Sequence, residues 1–322
     1  MTGEGGNAPT SVVFDLGGVL LRWEPERAFE QVLPSEHVPA FMSRIDFFEW
    51  NRRRDAGMGF ELGEQELAEA FPADAAAVRA YRQYFSHTLT GLVEGTGAIL
   101  AELQRAGVRL LALTNWSAET FSVAWNRFQI LRRFEHILVS GEVGLAKPDP
   151  AVFELLCRRH HLTPAECVFV DDSAANVAGA AKAGLLGIHF RDAPTLRGEL
   201  ERLGLVFARQ PVREPIFHLT EREVWQAARL AGTFGWSSRG LPYTEQGYLH
   251  CSFRHQLDAV AQSLYSDLPP ERLAVLELDP ETLTPPVVLE DLDGVGTYPH
   301  VYGELPVAEV VGVHSWPLES SH

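Results

Sequence analysis

The stretch SVVFDLGGVLLRW, Ser11 to Trp23, carries a short apolar β-branched run into a lone carboxylate, Asp15, and then into two glycines, Gly17 and Gly18. A run of this kind, stopped by a polar residue and followed at once by glycine, reads as a strand buried on both faces that ends in a turn. Four further apolar runs follow at Arg109–Leu113, His136–Val139, Cys167–Val170 and Gly187–Phe190. Between them lie stretches with helical spacing, such as GAILAELQRAG and PAVFELLCRRHHL. This alternation predicts βαβ units on a Rossmann-like parallel sheet, an α/β fold. From Glu24 to about Leu92 the alternation stops, and PERAFEQVL, HVPAFMSRIDFFEWNRRRDAG and GEQELAEAF read as amphipathic helices without strands. A helical insertion directly after the first strand is placed to act as a lid.

At 322 residues the chain exceeds what one core usually organises, so two domains are expected. Its hydrophobic fraction of 46% and charged fraction of 22% are those of a globular protein. A formal net charge of -16 argues against a nucleic-acid backbone or an anionic membrane as partner. Cys157, Cys167 and Cys251 are odd in number and widely spaced, which suits neither a disulfide framework nor a zinc site and points to the cytosol. The opening MTGEGGNAPT has no signal-peptide pattern and reads as a short flexible lead, and no apolar run has the length of a membrane span.

The strand ends carry the chemistry. The first stops at Asp15, the second at Thr114 and Asn115 in LLALTNWS, and the fourth at Asp171 and Asp172 in CVFVDDSAANVAGAAKAG; Lys147, in GLAKPDP, lies just beyond the third. Taken singly, each has an ordinary reading: a turn former, a helix cap, a solvated loop lysine, or carboxylates complementing a helix dipole. In an open parallel sheet, however, the carboxyl ends of the strands share one rim where ligands bind. Convergence there would bring together a carboxylate nucleophile, a hydroxyl, an amide, an ammonium and two more carboxylates. Those groups can attack a phosphoryl group, hold its oxygens, offset its charge and bind a hard cation.

VFDLGGVL, LTNWS, GLAKPDP and VFVDDSAANVAGAAKAG, in that order, resemble the four motifs of the haloacid dehalogenase-like hydrolase superfamily over about residues 11 to 207, and the helical insertion resembles its first-position cap. The sequence is similar to the branch holding α-glucose-1-phosphate phosphatases and the phosphatase domain of bifunctional epoxide hydrolases. The resemblance implies a Mg²⁺-dependent phosphomonoesterase that works through an aspartyl-phosphate on a small phosphorylated metabolite such as a sugar phosphate. It implies that Asp15 attacks phosphorus, that Asp15, the Gly17 carbonyl and Asp172 hold Mg²⁺, and that Asp171 acts at the metal or at Lys147. It also implies that Thr114 and the Asn115 amide hold phosphoryl oxygens, that Lys147 neutralises charge, and that Ser173 and Asn176 order the loop and cap the helix.

Gly17 departs from the pattern, because most phosphatases of this superfamily carry there an aspartate that protonates the leaving oxygen. Three readings follow: a cap residue around Asn51 to Arg54 or a water supplies the proton, the substrate has a good leaving group such as an anomeric oxygen, or the protein senses a phosphorylated ligand without turnover. A 2-haloacid dehalogenase also needs no acid at this position, but it has no use for the Asp171 and Asp172 pair.

A linker is expected near Arg209 to Pro215, dividing a hydrolase domain (1–210, core 11–23 and 93–207, cap about 24–92) from a smaller α+β domain at 215–322. Since every assigned catalytic residue precedes Gln210, a chain ending there is expected to keep its activity. In the second domain, His218, Thr220, His250, His300 and Tyr302 are candidate ligand residues, while Cys251 beside His250 should face the other side of a strand, against a metal site. IFHLT, GYLHCS and YPHVYGELPVAEVVGV resemble a small bacterial domain family of unknown function, distantly similar to ADP-ribosyltransferases, which for His218 and Thr220 implies NAD-related binding. Sensing and interaction roles stand equal to it.

Overall fold

The computed structural model describes residues 8–318 apart from positions 207, 210, 293 and 295. Most of the expected flexible lead, and Gln210 of the expected linker, lie outside the described residues. The chain divides into two compact units, Met1–Val93 with Ala106–Val206, and Glu94–Arg105 with Phe207–His322.

The first unit is built on β1 (Ser11–Phe14), β2 (Leu21–Trp23), β3 (Leu89–Leu92), β4 (Arg109–Thr114), β5 (His136–Val139), β6 (Cys167–Asp171) and β7 (Leu186–His189). Five of these form one parallel sheet in the order β5-β4-β1-β6-β7. All four residues of β1 are buried, which is why its sequence does not alternate. Phe14 lies beside Ala112 and Val170, Thr114 beside Val139, and Asp171 beside His189. The strands therefore end at one level, and Asp15, Thr114 and Asp171 leave the sheet on one rim. From β1 the chain winds to β4 and β5 on one side, then to β6 and β7 on the other, which opens the crevice above β1.

The insertion after β2 comprises α1 (Glu26–Phe29), α2 (Val38–Arg44), α3 (Phe47–Asp55), α4 (Phe60–Ala70), α5 (Ala75–Gln83) and α6 (Phe85–Thr88). Tyr81 is its hub, with the rings of Phe29, Phe47, Trp50, Phe60 and Phe85 centred 5.0–6.0 Å away. The expectation of an insertion without strands is corrected at its exit: Leu89–Leu92 pairs antiparallel with Leu21–Trp23 to close a stem. Four residues interrupted by Gly91 carry too little alternation to read as a strand.

The chain continues through α7 (Thr96–Arg105), α8 (Phe121–Arg127), α9 (Ser140–Val143), α10 (Pro150–His160), α11 (Ala174–Lys182) and α12 (Ala193–Arg202). Helix α10 starts where Asp149 accepts from the Ala151 amide at 2.9 Å with Pro150 behind it, so KPDP both ends a loop and caps a helix. Helix α7 groups with the second unit, where Ala98 and Ala101 pack with Tyr248, Val288 and Tyr302.

That unit runs β8 (Ile216–Glu221), α13 (Arg222–Ala231), β9 (Thr233–Phe234), β10 (Trp236–Ser238), β11 (Leu241–Pro242), α14 (Tyr243–Gln246), β12 (Leu249–His250), α15 (Leu257–Tyr265), β13 (Leu273–Leu278), β14 (Val287–Glu290), β15 (Tyr298–Val301), β16 (Leu305–Pro306) and β17 (Val310–Ser315). It forms antiparallel sheets, chiefly β17-β13-β8 and β12-β15-β14, giving the smaller α+β architecture. All three cysteines are buried free thiols. Among the described residues, no helix is long and apolar enough to cross a membrane.

Candidate functional site

Asp15, the residue after β1, is 8% exposed, and its Oδ1 accepts from the Leu16 amide at 2.7 Å. The same oxygen lies 2.8 Å from Lys147 Nζ. That ammonium, wholly buried, also lies 2.7 Å from Asp171 Oδ2. Asp171 is itself held, taking the Ser173 amide at 2.8 Å on Oδ1 and the Asn176 amide at 3.0 and 3.1 Å on its two oxygens. Asn115 clamps the other side of Lys147: its side chain accepts from the Lys147 amide and donates to the Lys147 carbonyl, both at 2.9 Å. Lysine 147 is thus pinned at its backbone by β4 and at its ammonium by β1 and β6.

Burial pushes the Asp15 carboxyl up, against the pull of Lys147 and with Asp171 adding to the rise. Asp172 is raised by burial and then by Asp171. Oxygen atoms of Asp15, Asp171 and Asp172 all lie within 4.8 Å of one another. Three mutually repelling carboxylates offering only oxygen donors fit a hard divalent cation. The backbone leaves room for them: Gly18 has φ +75°, and a Cβ there would stand 2.2 Å from Asp172 Oδ2.

Asp15, Thr114, Asn115 and Asp172 form the floor of a cavity of about 320 Å³, with Gly17 and Gly18 beside them. Trp23, Tyr81, Phe85 and Trp116 supply aromatic walls. Helix α3 of the cap contributes two polar side chains, Asn51 and Asp55. Asn51 donates to Asp55 Oδ2 at 3.1 Å. Burial raises the Asp55 carboxyl to about 7, partly opposed by a hydrogen bond from the Ser117 backbone and reinforced by the charge of Asp15. Its carbonyl accepts from Ser140 Oγ at 2.5 Å, and Ser140 Oγ in turn takes the Trp116 amide at 2.9 Å. A buried serine thus anchors the end of α3 to the loop after β4.

Of the cap segment expected to supply a proton, Asn51 reaches the cavity, while Arg54 is fully buried over the Trp50 ring and lies outside the lining. The carboxyl that the cap brings to the cavity belongs to the next residue, Asp55. In NRRRDAG its signal was helical spacing, four residues after Asn51 and hence on the same face. Ser140, the Asn115 side chain and Tyr81 also escaped sequence reasoning, because their roles lie in contacts between distant segments.

In the second unit, His218, His250 and His300 border a separate cavity, and Thr220 does not. Tyr302 stands behind it, its hydroxyl donating to Glu290 Oε2 at 2.5 Å. Cys251 borders the same cavity as His250, and it packs with Leu249, two residues back, in the buried core of this unit.

The model of the haloacid dehalogenase-like hydrolase family matches residues 10–184, and the model of a protein family of unknown function, DUF952, matches residues 219–313. The chain is 26% identical over 199 residues to a sesquiterpene phosphatase of Aspergillus oryzae, spanning 60% of this chain and 95% of that one. It is 29% identical over 189 residues to a phosphoglycolate phosphatase of Pseudomonas putida, spanning 56% and 68% of the two chains. A HAD family enzyme of Bacteroides thetaiotaomicron, solved as a magnesium complex, superposes with a TM-score of 0.48 at 19% identity, covering 61% of this chain and all of that one.

Proposed function

The chain belongs to the haloacid dehalogenase-like hydrolase family, and from that premise we propose that it is a Mg²⁺-dependent phosphomonoesterase in which Asp15 is the nucleophile and Asp55 the general acid and base. The observation that carries this reading is the salt-bridged trio Asp15, Lys147 and Asp171, of which Asp15 lines a cavity whose cap side presents a protonatable carboxyl. A carboxylate oxygen of Asp15 attacks phosphorus, an O–P bond forms as the ester P–O bond breaks, and the departing oxygen takes the proton of Asp55. The Asp55 carboxylate then removes a proton from a water that attacks the phosphoryl-aspartate, which breaks the Asp15–phosphorus bond and releases inorganic phosphate. Thr114 and the Asn115 amide hold phosphoryl oxygens, and Lys147 offsets charge that a closed site screens poorly. Asp171 positions Lys147.

Asp15, Asp172 and the Gly17 carbonyl would hold the cation. Bound there, Mg²⁺ supplies positive charge against a dianionic substrate and favours the ionised form of the nucleophile. Similarity to the sesquiterpene and phosphoglycolate phosphatases supports phosphomonoester hydrolysis, while the organic groups in those two names differ widely. Aromatic walls around a cavity of about 320 Å³ favour a small phosphate ester whose carbon skeleton or sugar ring packs on flat faces. The test is phosphate release from a panel of sugar, alkyl and aryl phosphates, with Mg²⁺ and with excess chelator. Turnover is expected with Mg²⁺ only, and none from Asp15→Asn on any substrate. Undiminished release in chelator, or turnover by Asp15→Asn, overturns the reading.

A further inference from the structure

The C-terminal unit holds a cavity of about 410 Å³ that the phosphatase chemistry does not use. Its wall brings together His218 of β8, Ser237 of β10, His250 of β12, Glu290 of β14 and His300 of β15. We propose that this cavity binds an uncharged heterocycle of about nucleoside size, which donates N–H or O–H hydrogen bonds to His218 and Ser237.

The polarity of the wall follows from one contact. His218 Nδ1 lies 2.7 Å from the His250 carbonyl oxygen, which can only accept, so Nδ1 carries the proton. Burial lowers the His218 pKa to about 4, so the ring is neutral at physiological pH and Nε2 is left as a bare acceptor. Nothing among the described residues donates to that atom, although His218 is only 3% exposed. Ser237, with no exposed surface at all, likewise has no partner for its hydroxyl. Unpaired buried polar atoms are rare in folded proteins, and two on the wall of one cavity call for a ligand that satisfies both.

The chemistry of that ligand is narrowed by what the wall lacks. Among the described residues, no lysine or arginine lines it, burial lowers the His250 pKa to about 3, and His300 Nδ1 already faces Glu290 Oε2 at 2.9 Å, so an anion meets no free counter-charge. Among the described residues, only Asp15, Asp171 and Asp172 offer three converging ligand atoms of the kind that hold a metal, so these histidines do not form such a site. Burial pushes the Cys251 thiol far up, which leaves it protonated and a poor nucleophile. Leu219, Val260 and Leu264 supply apolar surface for a flat ring.

The test is calorimetric titration of the full chain with adenosine, uridine and uracil, and with orotate, which adds a carboxylate to the uracil ring. At least one uncharged probe is expected to bind saturably, and orotate about tenfold or more weaker than uracil. His218→Asn keeps an N–H toward the His250 carbonyl but removes the Nε2 acceptor; Ser237→Ala removes only the hydroxyl. Each is expected to weaken binding by roughly tenfold, with an unchanged melting temperature. Asp15→Asn is expected to leave binding intact, which separates this site from the first. If His218→Asn does not fold, Ser237→Ala decides. No saturable binding by any uncharged probe at millimolar concentration, orotate binding as tightly as uracil, binding unaffected in the folded variants, or binding lost in Asp15→Asn overturns the proposal.

Discussion

Gly17 and Gly18 are adjacent and owe their smallness to different causes. Gly18 needs a positive φ and has Asp172 where its side chain would be, whereas a Cβ on Gly17 meets nothing within 4 Å. Packing therefore does not exclude an acid at position 17, and the proton is free to come from elsewhere. If Asp55 supplies it, Asp55→Asn should lower kcat/KM on alkyl phosphates by ~10²- to 10⁴-fold, and far less on aryl phosphates, whose leaving oxygen needs little help. Gly17→Asp in that background should recover part of the loss. Since the acid acts protonated and its pKa lies at about 7, wild-type kcat/KM on alkyl phosphates should fall as pH rises through 7, and the variant should lose this limb. A pH profile unchanged by the substitution would exclude Asp55. Stability gives an independent reading. The folded chain keeps the Asp55 proton from the unfolded value of 3.8 up to about 7, so this group costs stability progressively as pH rises through that window. Relative to wild type, Asp55→Asn should therefore melt higher at pH 8 than at pH 4.

Among the elements, α11 sets the site by close approach. A Cβ on Gly179 would lie 2.2 Å from the Pro148 carbonyl oxygen, so the helix rests directly on the residue that follows Lys147. Gly179→Ala must push the two apart. We expect a loss of ~1–3 kcal/mol in stability, measured by denaturant unfolding, together with a fall in kcat as Lys147 moves from Asp15. Gly198, inside α12, is the control: a Cβ there meets nothing within 4 Å, and Gly198→Ala should be neutral or stabilising by ~0.5–1 kcal/mol. Equal effects from both would mean that the contact at Pro148 has no consequence. In the cap, Gly63 plays the corresponding part for Arg54, whose Nη1 occupies the space a Cβ would take, so α4 passes over a buried guanidinium.

On the scale of the whole molecule, α7 joins segments that are far apart in sequence. It follows the cap, yet Ala98 and Ala101 pack with Tyr248, Val288 and Tyr302, and Glu102 lies 2.6 Å from Arg209. A chain ending at Val206 keeps every residue of the first site but removes those partners. We expect such a chain to retain activity while folded, to melt at a lower temperature than the full chain, and to bind a hydrophobic dye. An unchanged melting temperature would show that α7 is stable without the C-terminal segment.

The parallel sheet, the helical insertion and the rim carrying Asp15, Thr114, Asn115, Lys147, Asp171 and Asp172 were legible in the chain, because each belongs to or adjoins a local run: apolar strands four to six residues long, ended by polar residues, and stretches with helical spacing. Strands of the C-terminal unit at 216–221, 273–278 and 310–315 were legible for the same reason. What only the tertiary structure decided lies between such runs. The stem pairing β2 with β3, the clamp of Asn115 on Lys147, the serine that ties α3 to β4 and the grouping of α7 with residues 207–322 join segments tens of residues apart or more, and no local period encodes them. Protonation follows the same division. An aspartate in NRRRDAG is an ordinary surface acid by sequence, and it becomes a carboxyl with a pKa of about 7 only when folding removes water from around it and brings Asp15 near.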